Sequence, residues 1–279
     1  MGVHVSTSLA DALAAMAADP GAHILAGGTD LMVEVNFGHR SPSALVAIDR
    51  VPELRGWSRR GDELRLGAAL TYAEMLDPAL AGLVPALAEA ARTVGSPQIR
   101  NAGTLGGNLG TCSPAGDALP VLAVLDARIE VASSTTQREL SVHDFMVGVK
   151  RTALAPGEVI VAARVPVLDG YQGFAKVGVR NAMVISVTSA CLALDRPTKT
   201  ARLAFGAVGP TVVRPRDAEA WLAGELPWDG SSLPSGLAEE LGRRAAAEAR
   251  PIDDHRSTAA YRRHATAVLT TRLLRRAFA

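Results

Sequence analysis

The chain has 279 residues, of which 48% are hydrophobic and 20% charged. This composition is that of a folded protein long enough for two domains, and it excludes a disordered chain. A formal net charge of +1 excludes overall attraction to nucleic acid or to an anionic membrane surface. Two cysteines are too few for an iron–sulfur cluster, which needs four thiolates, or for a Cys-rich zinc site.

No apolar stretch reaches the length of about 18 residues that a membrane-spanning helix needs. The opening residues lack the basic start and apolar run of a signal peptide. The expected setting is therefore the reducing cytoplasm, without membrane insertion.

The first fifty residues predict a small βαβ unit. Ser8 is expected to cap a helix that ends near Ala18, followed by a short buried strand over His23–Ala26 and a second strand over Leu45–Ile48. The next block is predicted to mix helices with antiparallel strands. Its strands are placed at residues 64–67, 128–132 and 159–165, and its helices at 71 onward, 83–94 and 117–126.

Beyond Pro166 the pattern predicts a sheet followed by helices. The strands are placed at residues 173–177, 184–194 and 202–208, and the helices at 237–250 and 258–278. In the last helix, Tyr261 and Leu273 are assigned to the apolar side, and Arg262 with the other arginines to the solvated side. A domain boundary is predicted within residues 166–172.

The first unusual feature is a pair of glycines directly after the first predicted strand. Gly27 and Gly28 allow backbone amides to approach a ligand closely, and Thr29 adds a hydroxyl group. This pattern is typical of phosphate or pyrophosphate binding. The alternative is an ordinary strand-to-helix turn capped by Thr29 or Asp30.

The second feature is a glycine-rich turn over Thr104–Asp117. Within its fourteen residues it holds four glycines, two threonines, Ser113 and Asp117, which provide amide and hydroxyl donors and one carboxylate. Such a set suits a phosphorylated, polyhydroxylated cofactor. The alternative is a mobile surface loop in which Asp117 caps the next helix.

Other chemistries gain no support from the sequence. It contains neither a Gly-x-Gly-x-x-Gly motif opening a helix of the first unit nor a P-loop. The six histidines show no metal-binding spacing, so no metal site is predicted. Cys112 and Ser113 lie outside any nucleophile elbow, and no residue is assigned as catalytic.

Three motifs together resemble the FAD-binding subunit of molybdenum hydroxylases, the group that includes xanthine dehydrogenase and aerobic carbon monoxide dehydrogenase. They are the Ala-Gly-Gly-Thr-Asp-Leu turn ending at Leu31, the run Gln98–Asn108, and the Ser-Pro-x-x-Asp sequence ending at Asp117. The likeness continues through Phe174–Arg180 and Asp254–Arg263, and so covers nearly the whole chain.

The resemblance implies which residues bind FAD. The pyrophosphate would lie on the two glycine motifs, the hydroxyl groups would meet the polar side chains of the second motif, and the flavin rings would touch apolar side chains. The implied residues are Ile24, Leu25, Ala26, Gly27, Gly28, Thr29, Asp30, Leu31, Val94, Thr104, Leu105, Gly106, Gly107, Asn108, Thr111, Ser113, Asp117, Ile160 and Lys176. Among them, Lys176 would reach the cofactor from the second domain.

The resemblance also implies an α+β fold and a division of labour. Residues 1–168 would form a two-part FAD-binding domain, with subdomains of about 1–55 and 56–168, and residues 169–279 a three-stranded antiparallel sheet with helices. The chain would take electrons from a small 2Fe-2S subunit and pass them to NAD, quinone or oxygen. A large molybdenum-cofactor subunit would complete the complex, as a dimer of heterotrimers.

Two other functions remain open at the level of sequence. One is a stand-alone FAD-dependent oxidase or reductase, which would need its own acid–base residues in the part after Pro166. The other is a non-redox module that binds a nucleotide through the same glycine motifs.

Overall fold

A computed structural model describes residues 2–230 and 232–279. The strands are β1 (Gly2–Val5), β2 (His23–Leu25), β3 (Ala44–Ala47), β4 (Trp57–Arg60), β5 (Glu63–Gly67), β6 (Arg128–Ala132), β7 (Gln137–Ser141), β8 (Met146–Gly148), β9 (Arg151–Thr152), β10 (Val159–Pro166), β11 (Gly170–Val177), β12 (Thr188–Asp195) and β13 (Thr200–Gly206). The helices are α1 (Leu9–Ala18), α2 (Leu31–Asn36), α3 (Pro78–Leu83), α4 (Pro85–Arg92), α5 (Pro97–Ala102), α6 (Leu105–Thr111), α7 (Ala118–Val124), α8 (Val142–Phe145), α9 (Arg216–Glu225), α10 (Leu237–Ala247) and α11 (Ala259–Ala277), with 3₁₀ turns at Pro52–Leu54 and Glu74–Leu76.

The chain divides into two compact units, each assembled from separate stretches of sequence. Unit 1 comprises residues 1–75, 96–112 and 126–166, and unit 2 comprises residues 76–95, 113–125 and 167–279. The chain therefore passes twice from unit 1 to unit 2 and back before residue 126. The domain division between residues 168 and 169 remains a prediction.

The first sheet of unit 1 has the strand order β1-β3-β2, with both pairs parallel. Ser8 begins α1 as predicted, because its side chain accepts a hydrogen bond from the Asp11 amide. The helix lays Ala12 and Leu13 on the sheet, in a core shared with Val46 and Ile48. The predicted buried strand at His23 is shorter than expected, and its three residues are only half-buried.

The second sheet of unit 1 is antiparallel, with the strand order β4-β5-β10-β6-β7. The central strand β10 is buried over Val159–Ala163 and ends at Pro166 as predicted, because proline lacks the amide hydrogen that a ladder requires. A register shift between Ile160 and Ala162 interrupts its pairing with β6.

Unit 2 is built on an antiparallel sheet with the order β11-β12-β13, as predicted. Its core contains Leu203 and Phe205 of the sheet, Leu222 of α9, Leu241 of α10 and Leu273 of α11, all 2% exposed or less. Together with unit 1, this confirms the α+β fold class. None of the helices in the described part of the chain combines the length and apolar character that a bilayer crossing requires.

The prediction for the last helix was wrong at its first turn. Tyr261 is 50% exposed, whereas the Arg262 side chain is only 3% exposed. Arg262 lies inside because it hydrogen-bonds two backbone carbonyls and a carboxylate, which periodicity alone does not reveal.

Candidate functional site

The first glycine turn joins β2 to α2 in unit 1. Gly28 has φ of +70°, a left-handed conformation that favours glycine. A Cβ on Gly27 would lie 1.7 Å from the Ala102 carbonyl oxygen and 2.3 Å from its carbon. Only glycine therefore permits this turn to rest against the end of α5.

The second glycine segment is helical over Leu105–Thr111, which corrects its interpretation as a turn or a loop in that part. Ser96 and Thr104 each accept a hydrogen bond from an amide three residues on, and so begin α5 and α6. Gly106 donates its amide to the Ala68 carbonyl at 2.7 Å, and a Cβ there would lie 2.8 Å from Ala68. This glycine therefore serves close packing of a helix against the chain after β5.

The two glycine segments lie side by side in unit 1. Besides the contact of Gly27 with Ala102, the Thr111 hydroxyl donates to the Asp30 carboxylate at 3.0 Å. The structure thus brings together two segments that are far apart in sequence. Asp30 stands at the N-terminal end of α2 but makes no capping hydrogen bond with its side chain, so its role is not that of an ordinary cap.

Two observations test whether this surface fits a phosphorylated and hydroxylated cofactor. The amides of Gly27, Gly28 and Thr29 donate to no other backbone group in the described chain, so successive N–H donors are free for an anion. Asn108 presents a buried Oδ1 without a hydrogen-bond partner among the described residues. A buried acceptor without a donor is costly, and a ligand hydroxyl or N–H would satisfy it. The residues therefore fit FAD.

The other predicted residues of unit 1 supply backbone or apolar surface. Leu105 is fully buried and its amide bonds the Leu70 carbonyl, so its side chain is not open to a ligand. Ile160 is 7% exposed and lies 3.7 Å from where a Cβ on Gly110 would stand. Four further predicted residues are half-buried: Ile24, Leu25, Ala26 and Leu31. Of these, Ile24 and Ala26 pack against the core of unit 1.

Four predicted residues, Val94, Ser113, Asp117 and Lys176, belong to unit 2. Lys176 Nζ donates to Asp117 Oδ2 at 2.5 Å, to the Thr93 carbonyl at 3.1 Å and to the Val184 carbonyl at 3.2 Å. Both members of the ion pair are 7% exposed. All three N–H donors of this lysine are thus engaged within unit 2.

The Asp117 carboxylate also accepts from Ser186 Oγ at 2.7 Å and, at the limit, from Thr93 Oγ1 at 3.5 Å. Sequence reasoning missed Ser186 and Thr93, because no spacing pattern links them to Asp117. Asp117 precedes α7 without capping it through its side chain, contrary to the loop alternative. Ser113 Oγ accepts from the Ala115 amide at 3.3 Å, which shapes the turn before α7.

The remaining candidate groups are histidines and a cysteine of the described part of the chain. Among the described residues, no group of three His, Cys, Asp or Glu side chains is placed to hold a metal. His4 and His143 instead pair with Asp11 and Asp126 at 2.9 and 3.1 Å. Burial raises the pKa of the Cys112 thiol, which disfavours the nucleophilic thiolate.

Two family models match the chain. The FAD binding domain in molybdopterin dehydrogenase matches residues 1–168, and the CO dehydrogenase flavoprotein C-terminal domain matches residues 174–277. The chain is 31% identical to the putative xanthine dehydrogenase FAD-binding subunit of Escherichia coli (strain K12), over 99% of this chain and 95% of that protein. It is 30% identical to the glyceraldehyde dehydrogenase medium chain of Sulfolobus acidocaldarius, over 94% and 93%.

Solved structures show the same architecture. The chain superposes on quinoline 2-oxidoreductase from Pseudomonas putida 86 with a TM-score of 0.90 and 28% identity, over 100% of this chain and 96% of that chain. The reconstituted CO dehydrogenase from Oligotropha carboxidovorans gives a TM-score of 0.91 and 26% identity, over 100% and 97%.

Proposed function

Because the chain belongs to the family of FAD-binding subunits of molybdenum hydroxylases, we propose that it is the electron relay of a multi-subunit oxidoreductase. FAD is its cofactor. The observation that carries the proposal is the adjacency of the two glycine segments in unit 1, with free amides at Gly27–Thr29 and an unpaired acceptor on Asn108.

The residues of this chain bind and orient the cofactor. The amides of Gly27–Thr29 would hold the pyrophosphate, since successive free N–H groups favour an anion. Thr104–Asn108 would continue the cradle beside them. Thr111, Ser113 and Asp117 would accept or donate hydrogen bonds to the ribityl or ribose hydroxyls. Ile160 and Val94 would contact the flavin rings. The Lys176 amine would act on the cofactor through Asp117, whose carboxylate it holds.

When bound, FAD would supply the redox chemistry, since a flavin can exchange one or two electrons, and the residues of this protein would bind and orient it. The two cysteines of the chain cannot hold an iron–sulfur cluster of their own. The electrons would therefore come from 2Fe-2S clusters on a small partner subunit, and their final acceptor would be NAD, quinone or oxygen. Substrate oxidation would take place at the molybdenum cofactor of a large subunit.

The names of related proteins support this assembly. The glyceraldehyde dehydrogenase and carbon monoxide dehydrogenase relatives are called medium chains, and the nicotine 6-hydroxylase relative a medium subunit. We propose the same place for this chain, in a dimer of heterotrimers in the cytoplasm.

The test is to isolate the untagged complex from its native host and identify polypeptides, metals and flavin together. The expected result is one assembly with a large molybdenum subunit, a small 2Fe-2S subunit and one FAD per copy of this chain. Stopped-flow reduction by the native substrate should bleach the cluster absorbance before, or together with, the flavin absorbance. A chain that binds FAD but purifies alone and oxidises a substrate by itself would refute the relay. A colourless chain would support the non-redox module instead.

A further inference from the structure

The C-terminal motif Asp254–Arg263 places a buried cation at the first turn of α11. Arg262 Nη1 donates to the Val187 carbonyl at 2.7 Å and to the Ala207 carbonyl at 2.8 Å. Its Nη2 donates to Asp254 Oδ1 at 2.7 Å, while its Nε is buried without a partner among the described residues. A buried guanidinium is costly, so this arrangement is maintained by the groups that it binds.

Val187 ends the loop that follows β11. The Val187 amide donates to the Val177 carbonyl at 2.8 Å, which closes the base of that loop. The preceding residue, Ser186, donates its hydroxyl to Asp117. Arg262 therefore binds the carbonyl of Val187, and the residue directly before Val187, Ser186, hydrogen-bonds the Asp117 carboxylate.

Ala207 connects Arg262 to the same region by a second route. This residue has φ of +62°, an uncommon conformation for a residue with a side chain. Its amide donates to the Pro114 carbonyl at 2.7 Å, while its carbonyl accepts from Arg262. Pro114 lies in the segment Ser113–Asp117, which we call the polar segment. Arg262 is linked to one end of this segment through the backbone of Ala207, and to Asp117 through Val187 and the hydroxyl of its neighbour Ser186.

Asp254 keeps the guanidinium in place. Its Oδ1 also accepts from the amides of Arg256 and Ser257, at 2.8 and 3.2 Å. Burial acts to raise the pKa of Asp254, but hydrogen bonds from these amides and from Arg262 lower it to about 2. The carboxylate is therefore charged at neutral pH and neutralises the buried arginine.

We infer that Arg262 is a positioning residue for the FAD hydroxyl groups: it holds Ser113 and Asp117 in place through the backbone of Ala207 and Val187. The inference rests on the proposed assignment of Ser113 and Asp117 to those hydroxyls. Lysine at this position has one ammonium group and cannot reproduce the planar fork that spans two carbonyls and a carboxylate. Arg262→Lys is therefore expected to restore part of the function only.

The experiment measures FAD affinity of the full-length chain, freed of cofactor, at a temperature where circular dichroism shows each variant folded. Arg262→Gln and Arg262→Lys are compared with Leu241→Ala, which removes buried core surface of unit 2 without touching the polar segment. Arg263→Gln changes the exposed neighbouring arginine and controls for charge. The visible circular dichroism of bound FAD reports how the cofactor is oriented.

Arg262→Gln should raise the Kd for FAD by at least about tenfold and alter the flavin dichroism, as loss of hydrogen bonds around a charged group predicts. The Kd of Arg262→Lys for FAD should lie between that of Arg262→Gln and that of the unchanged protein. Leu241→Ala should lower the Tm but change Kd by less than about twofold. The inference is overturned if Arg262→Gln and Leu241→Ala change the Kd for FAD equally. If Arg262→Gln does not fold, the inference is overturned when Arg262→Lys has the same Kd and flavin dichroism as the unchanged protein.

Failure of the proposed function looks different. An unaltered chain that binds no FAD, or an Asp117→Asn variant with unchanged FAD affinity, would refute the assignment on which the inference rests. Neither result depends on Arg262.

Discussion

Gly27→Ala adds a single methyl group where the structure has no room for it. The new Cβ would lie 1.7 Å from the Ala102 carbonyl oxygen and 3.1 Å from the Gly103 nitrogen. Both atoms belong to the backbone, so no side-chain rotation relieves the overlap. The turn or the end of α5 has to move by more than about 1 Å, and overpacking of this kind costs about 1–3 kcal/mol.

The same displacement separates the free amides of the turn from the groups on α6. FAD binding should therefore weaken by at least about tenfold, since geometric misplacement removes several hydrogen bonds at once. Isothermal titration of the cofactor-free chain with FAD measures the affinity, and urea unfolding measures the stability. Gly82→Ala in α3 is the matched control, because its Cβ would meet no atom of the described residues outside its own helix within 4 Å and Gly82 lies outside the predicted cofactor-binding residues. A Gly27→Ala variant with unchanged affinity and unchanged stability would refute the reasoning.

Three further predictions follow from single groups. Asn108→Leu should stabilise the cofactor-free chain by about 1 kcal/mol in thermal unfolding, because it removes an unpaired buried acceptor, but it should weaken FAD binding. An equal gain in stability with and without FAD would contradict this prediction. Lys176→Met should cost about 3–5 kcal/mol in urea unfolding by leaving the Asp117 charge buried and unpaired, and adding Asp117→Leu should recover part of that loss. Asp254 should contribute about 2 kcal/mol to the free energy of unfolding; this stability is present above its unfolded pKa of about 3.8 and is lost as the pH falls through about 2. Acid unfolding of the wild-type chain and of Asp254→Asn measures this contribution, and parallel unfolding curves would exclude it.

Local patterns determined most of the regular structure and the position of the close backbone approach at Gly27. Ser8 begins a helix because its side chain replaces a missing backbone partner within three residues. Pro166 ends β10 because it has no amide hydrogen to donate. The paired glycines after β2 mark a close backbone approach because any larger residue excludes it, and the structure shows that approach at Gly27.

Other elements carried too weak a local signal to be predicted. In strand β1, Val3 and Val5 alternate with Gly2 and His4 over only four residues, and all four are exposed in the structure, so this short pattern was not taken as a strand. The short helix α6 was hidden by its glycines, which lower helix propensity by about 1 kcal/mol each. The short helix α5 contains no glycine, but Gly95 and Gly103 flank it on both sides. Their caps at Ser96 and Thr104 were present in the sequence and would have revealed them.

By itself, the sequence determined the caps, the strand ends and the positions where only glycine fits, because each depends on atoms within a few residues along the chain. Only the tertiary structure decided where charge is buried. Lys176 meets Asp117 across 59 positions, and Arg262 meets the Val187 carbonyl across 75. A buried charge takes whichever partner the packed chain brings within hydrogen-bonding distance, and that distance is set by the whole fold rather than by neighbouring residues.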